Sequence, residues 1–241
     1  MTKELILTLA NISIQNEFRN GLFNLIFTIV DNSKENMNSF YHIQYPQGTL
    51  FINDTNMFKN SSFISIFIPN TVSDIETYSF CGCNTLRNVC ISKHVVRPDD
   101  KYYSHILRGL FMNCIKLESL LLPDSIELIG FYAFNNCSSL KSIKFPARLK
   151  EILSCAFLNC IQLKEIIIPN GVKKIYTKAF GGCKNLEYIF IPQSVEEIYI
   201  SAFMFCNSLK TIYIPEKFKS RMSAIFRHVD LSNTEINYIT K

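Results

Sequence analysis

Tryptophan is absent from this chain of 241 residues, histidine occurs only four times, and charged residues make up 19% of it. The histidines include no His-x-x-x-His pair, and the eight glycines form neither a phosphate-binding loop nor a Gly-x-Ser-x-Gly elbow. The common signatures of zinc hydrolases, nucleotide-binding enzymes and serine hydrolases are therefore missing. No enzymatic activity and no cofactor are expected. A net charge of +5, spread over 25 basic and 20 acidic residues, makes no stripe for a phosphate backbone, so nucleic acid is excluded as the expected partner. The longest apolar run, residues 22–30, is interrupted by Asn24 and Thr28. It falls well short of the roughly 18 to 20 residues that cross a bilayer, and no transmembrane segment is expected. The opening residues have no small-residue cleavage site after their apolar stretch, so no signal peptide is expected either.

What the chain has in quantity is apolar material, 48% of its residues with 20 phenylalanines, and a repeat. Every 23 residues the same marks return: Leu163, Ile166, Ile168, Pro169, Val172, Ile175, Ala179, Phe180 and Cys183, then Leu186, Ile189, Ile191, Pro192, Val195, Ile198, Ala202, Phe203 and Cys206. A period of this length with its apolar positions locked signals a solenoid, in which each unit packs only on its neighbours. Phe40, Ile43, Tyr45 and Pro46 already stand in phase with Phe63, Ile66, Ile68 and Pro69. After Ser92 the phase slips by eight residues, which places an insertion loop at about 96–103. Its Arg97-Pro98-Asp99-Asp100-Lys101 and Tyr102-Tyr103 suit a surface excursion.

Within each unit the Ile-x-Ile segment alternates as a strand does, both isoleucines inward and the residue between them outward. Proline, lacking a donor, belongs at its end. The chain then returns through Val-x-x-Ile to Ala-Phe, where the small alanine lets coils approach and the phenylalanine fills the middle. The expected fold is an α/β or mainly-β solenoid of about seven to eight 23-residue coils with a parallel β-sheet. Residues 1–36 are expected to cap it at one end, with a hairpin or a short helix and a strand both open there. Residues 37–215 are the array. Past Pro215 the pattern is expected to stop, and residues 216–241 to form a C-terminal helical cap, because Phe218, Met222, Ile225, Phe226 and Val229 share one face of an amphipathic helix. Its basic residues Lys217, Lys219, Arg221 and Arg227 also fit a membrane-surface helix.

These Ile-x-Ile-Pro, Val-x-x-Ile and Ala-Phe-x-x-Cys segments resemble the leucine-rich repeats of the BspA-like, or treponemal, class, over roughly residues 37–215. The resemblance implies a leucine-rich repeat array that binds other proteins, as surface adhesins of this class do, and it implies no catalytic residue.

Nine cysteines is an odd number, and six of them, Cys83, Cys114, Cys137, Cys160, Cys183 and Cys206, hold one repeat position. Side chains stacked in parallel suit neither disulfide geometry nor a tetrahedral metal site, so these are expected to be buried structural thiols in a reducing, intracellular compartment. Cys90, between Val89 and Ile91, should face outward and be the most reactive. His94, Asp99, Asp100 and His105 are a ligand-like set on and beside the insertion, and a thiol or metal-binding protein is one alternative function. A secreted or cell-surface adhesin binding host or matrix protein is the other, and sequons at Asn11, Asn53, Asn60 and Asn136 would matter only there.

On the return segment, Lys173 and Glu196 should sit side by side, and Glu151, Lys174 and Glu197 should alternate in a column that keeps register. The outward strand positions, by contrast, are apolar on most coils: Phe67, Cys90, Leu121, Ile167, Phe190 and Tyr213, with Gln44 and Lys144 as exceptions. Contiguous apolar surface marks an interaction site. The expectation is a scaffold that binds a protein partner through Lys144, Ile167, Tyr188, Phe190 and Tyr213.

Overall fold

The structure is a computed structural model, and it describes residues 26–29, 41–44, 51–52, 64–68, 74–75, 77–91, 105–106 and 108–240. The insertion expected at about 96–103 and most of residues 1–36 lie outside the described residues, as do His94, Asp99 and Asp100.

Strands are numbered along the chain. Those on the Ile-x-Ile side are β1 (Ile26–Ile29), β2 (Tyr41–Gln44), β4 (Ser65–Ile68), β6 (Asn88–Ile91), β8 (Ser119–Leu121), β11 (Glu165–Ile167), β13 (Tyr188–Phe190), β15 (Thr211–Pro215) and β16 (Glu235–Ile239). The return side holds β3 (Phe51–Ile52), β5 (Asp74–Ile75), β7 (His105–Ile106), β9 (Leu128–Ile129), β10 (Glu151–Ile152), β12 (Lys174–Ile175) and β14 (Glu197–Ile198). Between the two sides four prolines open a turn: the carbonyls of Pro123, Pro146, Pro169 and Pro192 accept from the N–H three residues on, at 3.2–3.3 Å. The coils stack in parallel register, Ile166 on Ile189 on Ile212 on one side and Ile152 on Ile175 on Ile198 on the other. The result is a β-solenoid of about seven turns of roughly 23 residues. At its start β1 lies antiparallel to β2, so residues 26–29 form a strand.

The core runs down the middle. Phe80, Phe111, Phe134, Phe157, Phe180, Phe203 and Phe226 are fully buried and stacked face to face, with centroids 5.1–5.7 Å apart and planes within 16°. Offset stacking at this distance adds to the burial itself. Around each of these phenylalanines except Phe226 the backbone turns twice through the left-handed region, two residues before it and two residues after it, as at Tyr132 (φ 59°) and Asn136 (φ 59°). Asparagine tolerates that region, and here it also forms a ladder: Asn159 Nδ2 donates to Asn136 Oδ1 (2.9 Å) and Asn136 Nδ2 to Asn113 Oδ1 (2.8 Å). The next position of the column is Gly182 (φ 69°), where a Cβ would come within 2.3 Å of Asn159 Oδ1, so a side chain there would have to displace the Asn159 amide.

Two expectations are corrected. Lys144 does not stand on a strand: β1-β2-β4-β6-β8 and β11-β13-β15-β16 are separate sheets, and residues 140–146 between them form no strand. That coil carries Phe145 where its neighbours carry Leu122 and Ile168. The larger ring turns edge-on to Phe157 (5.8 Å) and Phe180 (6.3 Å), and Ile143 beside it is only partly buried. The return sheet β14-β12-β10-β9-β7 runs past this point unbroken.

The second correction is at the C-terminus, where the helical face read over 218–229 does not persist. A 3-10 segment (Glu216–Arg221) and one turn of α-helix, α1 (Met222–Ile225), end at Phe226, which enters the phenylalanine stack 5.3 Å from Phe203. β16 then pairs in parallel with β15, Ile236 on Ile212. The repeat does not stop at Pro215; it continues through one altered coil. Stacking onto the core outweighs the local helical spacing.

Candidate interaction face

Side chains that point away from the core on the Ile-x-Ile side stand in two columns. One passes through the middle of each strand: Cys90 and Leu121 in the first sheet, Ile167, Phe190, Tyr213 and Asn237 in the second. The other, two residues earlier, runs Ser65, Asn88 and Ser119, then Glu165, Tyr188, Thr211 and Glu235. In the first sheet this column is closed by its own hydrogen bonds, Ser119 Oγ to Asn88 Oδ1 (2.7 Å) and Asn88 Nδ2 to Ser65 Oγ (3.3 Å). In the second it opens into aromatic surface.

The expected site residues fall as follows. Ile167 is 54% exposed and stacks in register beside Phe190, which stacks beside Tyr213. Tyr188 belongs to the neighbouring column, and the Tyr213 ring contacts both Tyr188 (5.8 Å, planes at 49°) and Phe190 (6.2 Å, 43°). Three tilted, half-buried rings thus form one triangle. Burial of the Tyr188 hydroxyl, with Tyr213 and then Glu165 nearby, raises its pKa. Lys144 is exposed but sits in the coil whose Ile-x-Ile side makes no strand, beyond Ile167 and apart from the rings.

Reading the residues in sequence missed the charged column that borders this face. Arg87 pairs with Glu118, which also meets Lys141 (3.6 Å), and Lys210 pairs with Glu187 (2.8 Å), whose carboxyl is held below the ordinary range by that hydrogen bond. The signal was available, since these residues follow the conserved-position leucines Leu86, Leu117, Leu140, Leu186 and Leu209 of the repeat.

The return side behaves as its spacing implies. Lys173 meets Glu196 at 2.6 Å and Lys174 meets Glu197 at 3.2 Å, while Glu151 accepts from the Tyr176 hydroxyl at 3.1 Å. The Tyr176 and Tyr199 rings stack at 4.7 Å. Burial, then the bond to Glu151, pushes the Tyr176 pKa up to about 12.

All six cysteines of the repeat position are buried. The thiols of Cys114, Cys137, Cys160, Cys183 and Cys206 each donate to the phenylalanine carbonyl of the preceding coil, at 3.1–3.4 Å. Burial pushes the Cys137, Cys160 and Cys183 thiols well up, away from the reactive thiolate. Cys90 is partly exposed, as its place between two buried neighbours requires. Among the described residues no three His, Cys, Asp or Glu side chains gather as metal ligands, and no helix is long and apolar enough to cross a membrane.

The BspA type leucine-rich repeat model matches residues 9–105 and 104–232 in six copies. The chain belongs to the BspA-type leucine-rich repeat family. The T. pallidum leucine-rich repeat protein has the same fold at 21% identity and a TM-score of 0.59, over 88% of this chain and 96% of that one. Leucine-rich repeat proteins from Eubacterium ventriosum and Bacteroides ovatus match at 18% and 19% identity, with TM-scores of 0.41 and 0.32. These cover 84% and 74% of this BspA-type chain, and 65% and 67% of their own. Comparison with curated proteins finds no match. As a BspA-type array the chain is a repeat scaffold of the kind used in protein interaction.

Proposed function

We propose that the chain is a non-enzymatic scaffold that binds a protein partner inside the cell through the outward face of the sheet β11-β13-β15-β16. The observation that carries this reading is the triangle of Tyr188, Phe190 and Tyr213 beside the exposed Ile167, apolar surface held on rigid strands where solvent contact favours polar groups. Tyrosine is enriched among binding hot spots because it joins large apolar area to a hydroxyl. Two features support an intracellular setting. All nine cysteines are free thiols, which suits a reducing compartment. The amide nitrogen of the Asn136 sequon is part-buried and held by its hydrogen bond to Asn113 in the ladder.

Affinity capture with the intact chain and with a Tyr188→Ala/Tyr213→Ala bait, compared by mass spectrometry, tests the reading. A partner retained by the first and lost by the second supports it, and identical sets refute it. Localising a tagged chain and testing its sequons for glycans decides the compartment.

A further inference from the structure

We propose that the Tyr188–Phe190–Tyr213 triangle receives a cationic side chain, an arginine or lysine of the segment that docks on this face. The proposal rests on reading the face as a partner surface and adds the chemistry of what it recognises. Aromatic faces carry the negative part of a quadrupole and attract a cation placed over them. The Tyr213 ring, tilted 49° to Tyr188 and 43° to Phe190, and its two neighbours offer such faces from more than one direction.

On the second sheet, beside the rings, the charges set into the same two columns have one sign. Glu165 stands in register beside Tyr188, and Glu235 stands beside Thr211, one coil beyond it. Both are exposed. The lysines lie elsewhere: Lys210 is in the bordering column, tied to Glu187 at 2.8 Å, and Lys164 is exposed in that same column. Lys144 lies on the far side of Ile167. A carboxylate-bearing segment would meet Glu165 and Glu235 beside the rings, whereas a basic one meets opposite charge there and like charge at the border, at Lys164, and past Ile167, at Lys144. The next coil already makes this contact within the chain, where Lys219 Nζ sits 5.1 Å from the centre of the Tyr238 ring.

The test uses the full chain with 13C-labelled tyrosine rings, the signals assigned with Tyr188→Phe and Tyr213→Phe, and titrates acetyl-Gly-Arg-Gly-amide. Counterparts with citrulline, which keeps the shape and loses the charge, and with glutamate serve as controls. The arginine peptide should move the Tyr188 and Tyr213 rings saturably, and the citrulline peptide should bind about threefold or more weaker. The surface substitutions Glu165→Gln with Glu235→Gln should cost the arginine peptide a similar factor and flatten its salt dependence. Equal binding of citrulline, preference for glutamate, or no movement of the rings overturns the proposal. If it fails while Tyr188→Ala/Tyr213→Ala still loses the captured protein, the partner surface stands without the cation. If that variant captures normally, the surface itself is wrong and the proposal falls with it.

Discussion

The two outward surfaces of this solenoid are built by one rule and filled differently. On both sides, residues one period apart lie side by side in parallel register, about 4.8 Å from coil to coil. The return side fills these places with side chains that answer one another, Lys173 with Glu196, Lys174 with Glu197, Tyr176 with Glu151 and with the stacked Tyr199. The Ile-x-Ile side, past the interruption at residues 140–146, fills them with Ile167, Phe190 and Tyr213, which stand in register with no charged partner among themselves. A repeat that needs only register satisfies its surface internally. One that leaves apolar rings on a rigid face presents the kind of surface that the proposed partner would need.

The first way to probe this contrast is to remove what both surfaces rest on. Phe157→Ala or Phe180→Ala empties the middle of a coil and should destabilise the fold by about 3–5 kcal/mol, read from denaturant unfolding. A change of under 1 kcal/mol would mean that the stack does not hold the two sides together. The second separates the surfaces. Tyr188→Ala with Tyr213→Ala should weaken the captured partner at least tenfold, about 1.4 kcal/mol of binding, with the melting temperature nearly unchanged. Unfolding of that variant would show that the rings support the core and that the contrast is false.

The third acts on the return side alone. The carboxyls of Glu196 and Glu197 lie below the ordinary range, the first held by Lys173, the second by Tyr199 and Lys174. Because the folded values are the lower ones, their contribution is present above the unfolded glutamate pKa and is lost as pH falls through the folded values. Glu196→Gln with Glu197→Gln should therefore lower the melting temperature by about a degree or two at neutral pH and by nothing at acid pH, and should leave partner binding intact. Loss of binding would place the partner on the wrong side. The smallest effect belongs to the core thiols: a thiol reagent should modify Cys90 in the native chain, leave the buried column untouched, and reach all nine cysteines only after unfolding. Rapid native reaction in the column would contradict its burial.

The array was legible in the residues because its inward positions admit few side chains. Phe180 and Phe203, or Ile166 and Ile189, recur at a fixed interval, and an interval is visible without coordinates. The interruption was not, since Phe145 and Ile168 are both simply apolar until the ring must share space with Phe157 and Phe180. The last coil was hidden for a related reason. Val229 stands where a cysteine would, and β16 pairs one residue later than the period requires, so the local helical spacing of Met222, Ile225 and Phe226 looked stronger than their phase with the preceding coil. At the candidate site, the column Ile167–Phe190–Tyr213 could be read directly. The carboxylates of Glu165 and Glu235 could not be placed beside it, because their meaning depends on which neighbours the stacking supplies.

The interruption also has a mechanical meaning. A strip fastened along both margins resists bending in either direction, but where one margin is unfastened it yields like a book about its spine. Between β8 and β11 the spine is the unbroken return sheet, and the loose margin is the face that carries Leu121 on one leaf and Ile167 on the other. Bending there changes the gap between these leaves while the phenylalanine stack and the return sheet stay joined. Amide hydrogens of residues 140–146 should accordingly exchange faster than those of β13 or β12, and a partner gripping both leaves at once would slow them.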